Sequence, residues 1–135
     1  MQTTESTQQI ENSLAQFTGD DIRYLHPLNR KVIYTPGVRY LAQSCEAYWL
    51  IDAIASYYGS TQMNHAIKQD SRLSYLQFWT LLVTGQSAVL CARADQDVPP
   101  FIEQAIPFTD FPLESVDIWA GFDGSHWTLY LPSEH

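Results

Sequence analysis

The sequence predicts an α+β domain, with a mainly antiparallel sheet of about five to six strands packed against two to three helices. Three observations carry this reading. Apolar residues recur at helical spacing through the first half of the chain. After Leu73 they gather into runs rich in aromatic and β-branched residues. Those runs are separated by tight-turn dipeptides rather than by helices, which is the pattern of sequential hairpins and not of alternating βαβ units. At 135 residues the chain is most simply a single domain, 1–135, large enough to form a core without staples.

The first helix is predicted over 6–17. Ser6 and Gln9 fit a capping box, Ile10, Leu14 and Phe17 form one stripe, and Gly19 follows as a stop. An irregular link, DDIRYLHPLN, leads to a short strand KVIY at 31–34. Thr35 is then suited to be an N-cap and Pro36 the first helical residue, whose fixed φ and missing N–H both fit that place. This longest helix is expected to run over about 36–58, ending at Gly59, and to lie across the sheet. A more polar helix follows at 61–70, with Met63, Ala66 and Ile67 inward. The strands are LSYLQFWTLLV, SAVLCAR after a turn at Gly85-Gln86, FIEQAIPF, SVDIWAGF and HWTLYLP. DQDVPP between the second and third is a loop, because tandem prolines cannot extend a ladder. Asp123-Gly124 joins the last two as a two-residue hairpin.

Charge is sparse and unevenly placed. Only 16% of residues are charged, yet the net charge is −8. Residues 94–135 hold eight acids and no Lys or Arg, so the whole imbalance lies there. Such an anionic segment repels phosphate backbones and anionic membranes, so neither nucleic acid nor membrane is expected as a partner. It could attract a basic protein surface or a cation, but ordinary solvation of a sheet's outer face is the better reading. Four basic residues, Arg23, Arg30, Lys31 and Arg39, fall in one short segment, a weak phosphate hint best read as a solvated loop. The N-terminus has no basic stretch followed by an apolar one, and the apolar run at 47–58 is far too short to span a bilayer. The expected location is cytoplasmic.

That apolar run, AYWLIDAIASYY, contains a single charge, Asp52. In one continuous helix, Val38, Leu41, Cys45, Tyr48, Asp52 and Ala55 share a face, and Ala47, Ile51, Ile54 and Tyr58 take the opposite one. Such a helix is apolar nearly all round from 47 onward, so Asp52 is expected to be at least partly buried. A buried carboxylate must be paired, hydrogen-bonded or protonated. Asp52 therefore reads either as an anchor tying the HPLN loop to the helix or as a ligand or acid/base group. The ligand reading groups His26, Tyr48 and Asp52 at a site between the 36–58 helix and the 20–30 loop.

Other chemistry is thinner. Cys45 with His126, and Gln43 as an oxyanion donor, have the chain order of a papain-like cysteine peptidase. Against it, Cys45 lies well inside the helix on an apolar stripe, away from the terminus that would activate it. Cys45 and Cys91 are too few for a disulfide framework or a zinc site. His26, His65, His126 and His135 have no ligand spacing, and the Asp-x-Asp at 95–97 lacks the rest of a calcium loop. No phosphate-binding glycine loop or nucleophile elbow is present. No metal and no cofactor is expected.

Six segments taken in order, AQFTGD, YTPGVRYLA, AYWLIDAIASYY, LQFWTL, FTDFPL and LYLPSEH, resemble a family of small bacterial, phage- and plasmid-associated proteins of unknown function. The resemblance runs from about residue 15 to the C-terminus and implies one domain without supplying an activity. It implies that Asp52 belongs to the family's helix motif, whereas Cys45 and His126 are peculiar to this chain. It also implies that the LPSEH ending is docked. The resulting expectation is a non-enzymatic interaction or accessory module of bacterial or mobile-element origin. It would act through an aromatic and acidic surface on an unknown protein partner or by self-association. The alternatives are a small-ligand-binding protein or hydrolase using the site above and, more weakly, a nucleic-acid mimic.

Overall fold

A computed structural model of the protein describes residues 6–17 and 22–135; the expected stop at Gly19 and the start of the link at Asp20-Asp21 lie outside them. Helix α1, Thr7–Gln16, starts as the capping box requires. The Ser6 hydroxyl accepts from the Gln9 N–H at 3.2 Å, and the Gln9 amide accepts from the Ser6 N–H at 3.0 Å. Ile10 is fully buried beneath it. Strand β1, Tyr24–Leu25, is only two residues long and pairs antiparallel with β2, Val32–Tyr34. Thr35 caps helix α2, Pro36–Ser44, by accepting from the Val38 N–H.

The helix expected over 36–58 is in fact two helices, α2 and α3, Tyr48–Ala55. Glu46 breaks it, with a φ of 51° in the left-handed region. The Ala47 N–H bonds back to the Ala42 carbonyl at 2.8 Å, and the Glu46 N–H to Gln43 at 3.4 Å. Those two bonds form a Schellman C-terminus, normally signalled by glycine at the left-handed position. With glutamate there, no local stop is written in the sequence. The cause is tertiary. In a straight helix the stripes Val38–Leu41 and Ile51–Ile54 would point in opposite directions, about half a turn apart. The break turns α3 so that Leu50, Ile51, Ile54 and Ala55 join Val38, Leu41 and Ala42 in one core. Burying each of these aliphatic side chains stabilises by about 1.5–3 kcal/mol, more than one left-handed residue costs.

A turn carries the chain from Ala55 to Gly59, whose φ of 92° suits the expected terminator. Helix α4 is Thr61–Gln69, with the Ser60 hydroxyl accepting from the Met63 N–H. A short 3-10 turn at 71–74 delays the next strand, which begins at Leu76 rather than Leu73. Strands β3 (Leu76–Thr84), β4 (Ser87–Arg93), β5 (Ile102–Ile106), β6 (Ser115–Phe122) and β7 (Trp127–Tyr130) complete the sheet. The β6–β7 connection is four residues, 123–126, rather than the expected two-residue Asp123-Gly124 loop, because Phe122 pairs with Trp127. Within it Asp123 accepts from the His126 and Ser125 N–H groups, and these bonds hold its carboxyl below the usual carboxylate range.

The sheet has seven strands in the order β1-β2-β7-β6-β3-β4-β5, with four helices described. Both counts exceed expectation: β1 is too short to show in composition, and the longest helix is split. Among the described strands, β2 and β7 alone pair in parallel. Gln77, Trp79 and Leu81 of β3, Leu90 and Ala92 of β4, Ile118 and Ala120 of β6, and Leu129 of β7 point at the helices. Within this layer the Tyr58 hydroxyl accepts from Trp79 Nε1 at 2.9 Å and donates to Gln77 Oε1 at 2.6 Å. The Gln77 amide donates on to the Leu73 carbonyl. Burial pushes the Tyr58 hydroxyl's pKa up, keeping it neutral and able to donate.

The LPSEH ending is docked. At the end of a 3-10 turn, Pro132–Glu134, Glu134 accepts from the Thr35 hydroxyl at 2.7 Å, the Leu131 N–H at 2.9 Å and the Gly37 N–H at 3.4 Å. It thus sits on the N-terminus of α2, where unpaired N–H groups and the helix dipole favour a carboxylate. A Cβ on Gly37 would meet Glu134 Oε1 at 2.5 Å, so this approach requires glycine.

Two outcomes follow. Glu46→Gly, relieving the left-handed backbone, raises unfolding free energy by about 1 kcal/mol in chemical denaturation. Tyr58→Phe leaves Trp79 Nε1 and Gln77 Oε1 buried without this partner and lowers stability by about 1–3 kcal/mol in the same assay.

Candidate functional site

His26, Asp52 and Tyr48 lie where the 22–30 segment meets α3, and the first two are bonded directly. His26 is buried, 4% exposed at its side chain, while Asp52 is 61% exposed. The expected burial of Asp52 is therefore corrected: rotation of α3 at Glu46 turns Asp52 outward and the apolar stripe inward. His26 Nδ1 accepts from the N–H groups of Leu28 at 3.2 Å and Asn29 at 2.9 Å. Nδ1 must then be unprotonated in this arrangement, so Nε2 carries the hydrogen and donates it to Asp52 Oδ1 at 2.8 Å. Asn29 completes the junction. Its amide donates to the Ala55 carbonyl at 2.8 Å and the Tyr58 carbonyl at 2.9 Å, and its oxygen accepts from the Lys31 N–H. The Ala55 carbonyl, which also accepts from the Tyr58 N–H at 3.2 Å, and the Tyr58 carbonyl in the turn after α3 thereby gain a side-chain donor.

Tyr48 is 43% exposed and takes no part in that junction. It belongs to a neighbouring cluster with Arg39, Tyr24 and Tyr34. The Arg39 guanidinium donates to the Tyr24 hydroxyl at 2.9 Å and lies over that ring at 4.7 Å from its centre. Tyr24, then Tyr48, hold the Arg39 charge in place by hydrogen bonding, and burial foremost, with Tyr48 next, pushes the Tyr34 hydroxyl's pKa up. The sequence-predicted trio is thus divided between a filled hydrogen-bonded junction and a tyrosine-arginine surface.

The peptidase pair is placed differently. Cys45 caps the C-terminal end of α2 and is buried, and His126 sits in the β6–β7 hairpin beside the Ser125 hydroxyl at 3.0 Å. Among the described residues no group of three or more His, Cys, Asp or Glu side chains is placed to hold a metal ion, and no helix is long and apolar enough to cross a membrane.

The sheet's second face presents a surface that the sequence did not single out. Strand register sets its outward side chains in rows across β5, β4, β3, β6 and β7. One row reads Arg93, Phe78, Trp119, Tyr130. The next reads Glu103 of β5, Cys91, Thr80, Asp117, and a third Ala105, Val89, Leu82, Ser115. Phe78 and Trp119 meet edge to face at 5.1 Å, and Tyr130 stands against the other side of Trp119 at 6.2 Å. His135 stacks on Tyr130, its Nδ1 2.9 Å from the hydroxyl. Leu82 and Val89 are 48% and 39% exposed. None of these outward residues joins the helix-covered core among the described residues.

Residues 8–135 match the family of unknown function DUF6876. The chain belongs to this family. Among solved structures it is similar to one described as a protein of unknown function from Enterococcus faecalis, at 24% identity and a TM-score of 0.48. That similarity covers 86% of this chain and 93% of the other. No curated protein matches the chain. Neither the description of DUF6876 nor that of the Enterococcus faecalis structure names a reaction. The outward rows were detectable in principle: alternation in LQFWTLLV and SVDIWAGF marks both faces of each strand, but only pairing register places Phe78 beside Trp119.

The junction makes a sharp contrast between two substitutions. Asn29→Ala strips a donor pair from two carbonyls and costs about 1–3 kcal/mol. Asp52→Asn, at a largely exposed position, costs less than about 1 kcal/mol. Urea denaturation of both variants measures the order, and equal losses would contradict it.

Proposed function

We propose that this protein is a non-enzymatic interaction module, an accessory protein of bacterial or mobile-element origin, that binds a partner protein through the open face of its sheet. The observation that carries this reading is the set of rows on that face: aliphatic, acidic and aromatic side chains side by side, with Leu82 and Val89 about half exposed. Monomeric proteins seldom leave such a continuous surface without a use, and aromatic residues are enriched where proteins meet. The origin rests on the resemblance of the sequence motifs.

The alternative, a ligand site or hydrolase centred on His26, Tyr48 and Asp52, has less support. A histidine acting as general base needs a free ring nitrogen facing a substrate. Both nitrogens of His26 are engaged, one by backbone N–H groups and one by Asp52. The same bonds support the anchoring role for Asp52.

A photo-cross-linking amino acid in place of Leu82, compared with one in place of Leu28, tests the proposal. Both positions are exposed, and Leu28 lies in the loop away from the sheet face. In cells of the source organism, position 82 should yield a discrete protein adduct and position 28 should not. Adducts of equal yield at the two positions, or none at 82, would sink the interaction reading.

A further inference from the structure

The open face carries a charge as well as a shape. Its rows contain Glu103 and Asp117 against one cation, Arg93, and at the β7 end Asp123 and Arg23 line a further recess with Thr128 and Tyr130. Arg93 is turned onto its own strand, its Nη1 3.1 Å from Cys91 Sγ. Asp117 is exposed, and its Oδ1 accepts from the Thr80 hydroxyl at 2.8 Å. Beside it opens a recess of about 290 Å³, walled by Phe78, Trp119, Thr80, Arg93 and Gln96. An aromatic wall next to a carboxylate is the environment that receives a guanidinium or ammonium group. The ring face attracts the cation, and the carboxylate takes its hydrogen bonds, in bidentate fashion for arginine.

Resting on the interaction reading above, we infer that the partner is a basic protein segment, presenting Arg or Lys beside aliphatic side chains. Its cation enters the Asp117–Trp119 recess and its aliphatic residues lie on Val89 and Leu82. Charge complementarity selects this occupant over a second copy of the chain. Two such faces would set Glu103 and Asp117 against like charges, which disfavours association. The three rows of four outward positions span roughly 400 Å² of sheet at ordinary strand and residue spacings. That is the size of a transient contact rather than a permanent one, and it makes the electrostatic part decisive for recognition.

The test uses the full-length, isotope-labelled protein and two synthetic peptides of equal length, one alternating Leu with Arg and the other Leu with Glu. Nuclear magnetic resonance follows the Trp119 indole and the amides of Thr80 and Asp117. The Leu-Arg peptide is expected to shift these signals, and its affinity to fall about tenfold or more at high salt. In a Glu103→Gln, Asp117→Asn double variant that melts like the parent, the affinity is expected to fall by a similar factor. Shifts confined to other regions, or unchanged affinity in the double variant, overturn the inference. Equal binding of the Leu-Glu peptide at Trp119 overturns the basic partner while leaving the interaction role standing. Failure of both peptides at this face overturns the inference, and cross-linking at position 82 then reports on the broader role independently.

Discussion

The left-handed residue at Glu46 is the constraint on which the rest of this structure depends. Without it, the apolar stripes of α2 and α3 would face opposite ways, and one of them would be left in water. With it, Val38, Leu41, Leu50, Ile51 and Ile54 enter a single core. The same rotation decides the fate of the only acid in the apolar run. Asp52 moves to the outer side of α3, where it meets the buried imidazole of His26. An aliphatic packing requirement thereby sets the position of a charged group.

The loop from His26 to Asn29 then holds α3 at its C-terminal end. It works by completing hydrogen bonds rather than by burying much apolar surface. His26 organises its own loop through two backbone N–H groups, and Asn29 donates to the Ala55 and Tyr58 carbonyls at the end of α3 and in the turn after it. At the other end of the helical layer, Glu134 covers the N-terminus of α2. Both devices are instances of one rule: helix ends carry orphan polar groups, and a fold that half-buries those ends must provide partners from distant segments. Strands β2 and β7, running parallel, bring those segments into place.

The sheet divides the molecule's properties between its two faces. One is sealed by helices and contains a satisfied polar network, Trp79–Tyr58–Gln77. The other gathers aromatic and aliphatic side chains with the acids of the β5–β7 region. Of the acids in the anionic third of the sequence, Glu103 and Asp117 stand on this face, whereas Glu134 is drawn to the N-terminus of α2.

The sequence by itself determined what depends on neighbours along the chain. Ser6 and Gln9, and Thr35 and Pro36, each set a boundary through local backbone chemistry and are found in their places. Gly59 keeps its left-handed backbone but closes the turn that follows α3, and Asp123-Gly124 lies within a four-residue connection. The α+β class and the family membership were legible for the same reason, since they rest on patterns within short windows. Only the tertiary structure decided the break at Glu46, because the gain comes from distant core residues and overrides a position where glutamate signals nothing. The half-turn change of phase between Val38–Leu41 and Ile51–Ile54 was the sole trace of it in the sequence. The exposure of Asp52, its pairing with His26 and the juxtaposition of Phe78, Trp119 and Asp117 likewise required the fold. Each joins residues far apart along the chain, and strand register, which no single segment encodes, brings them within reach.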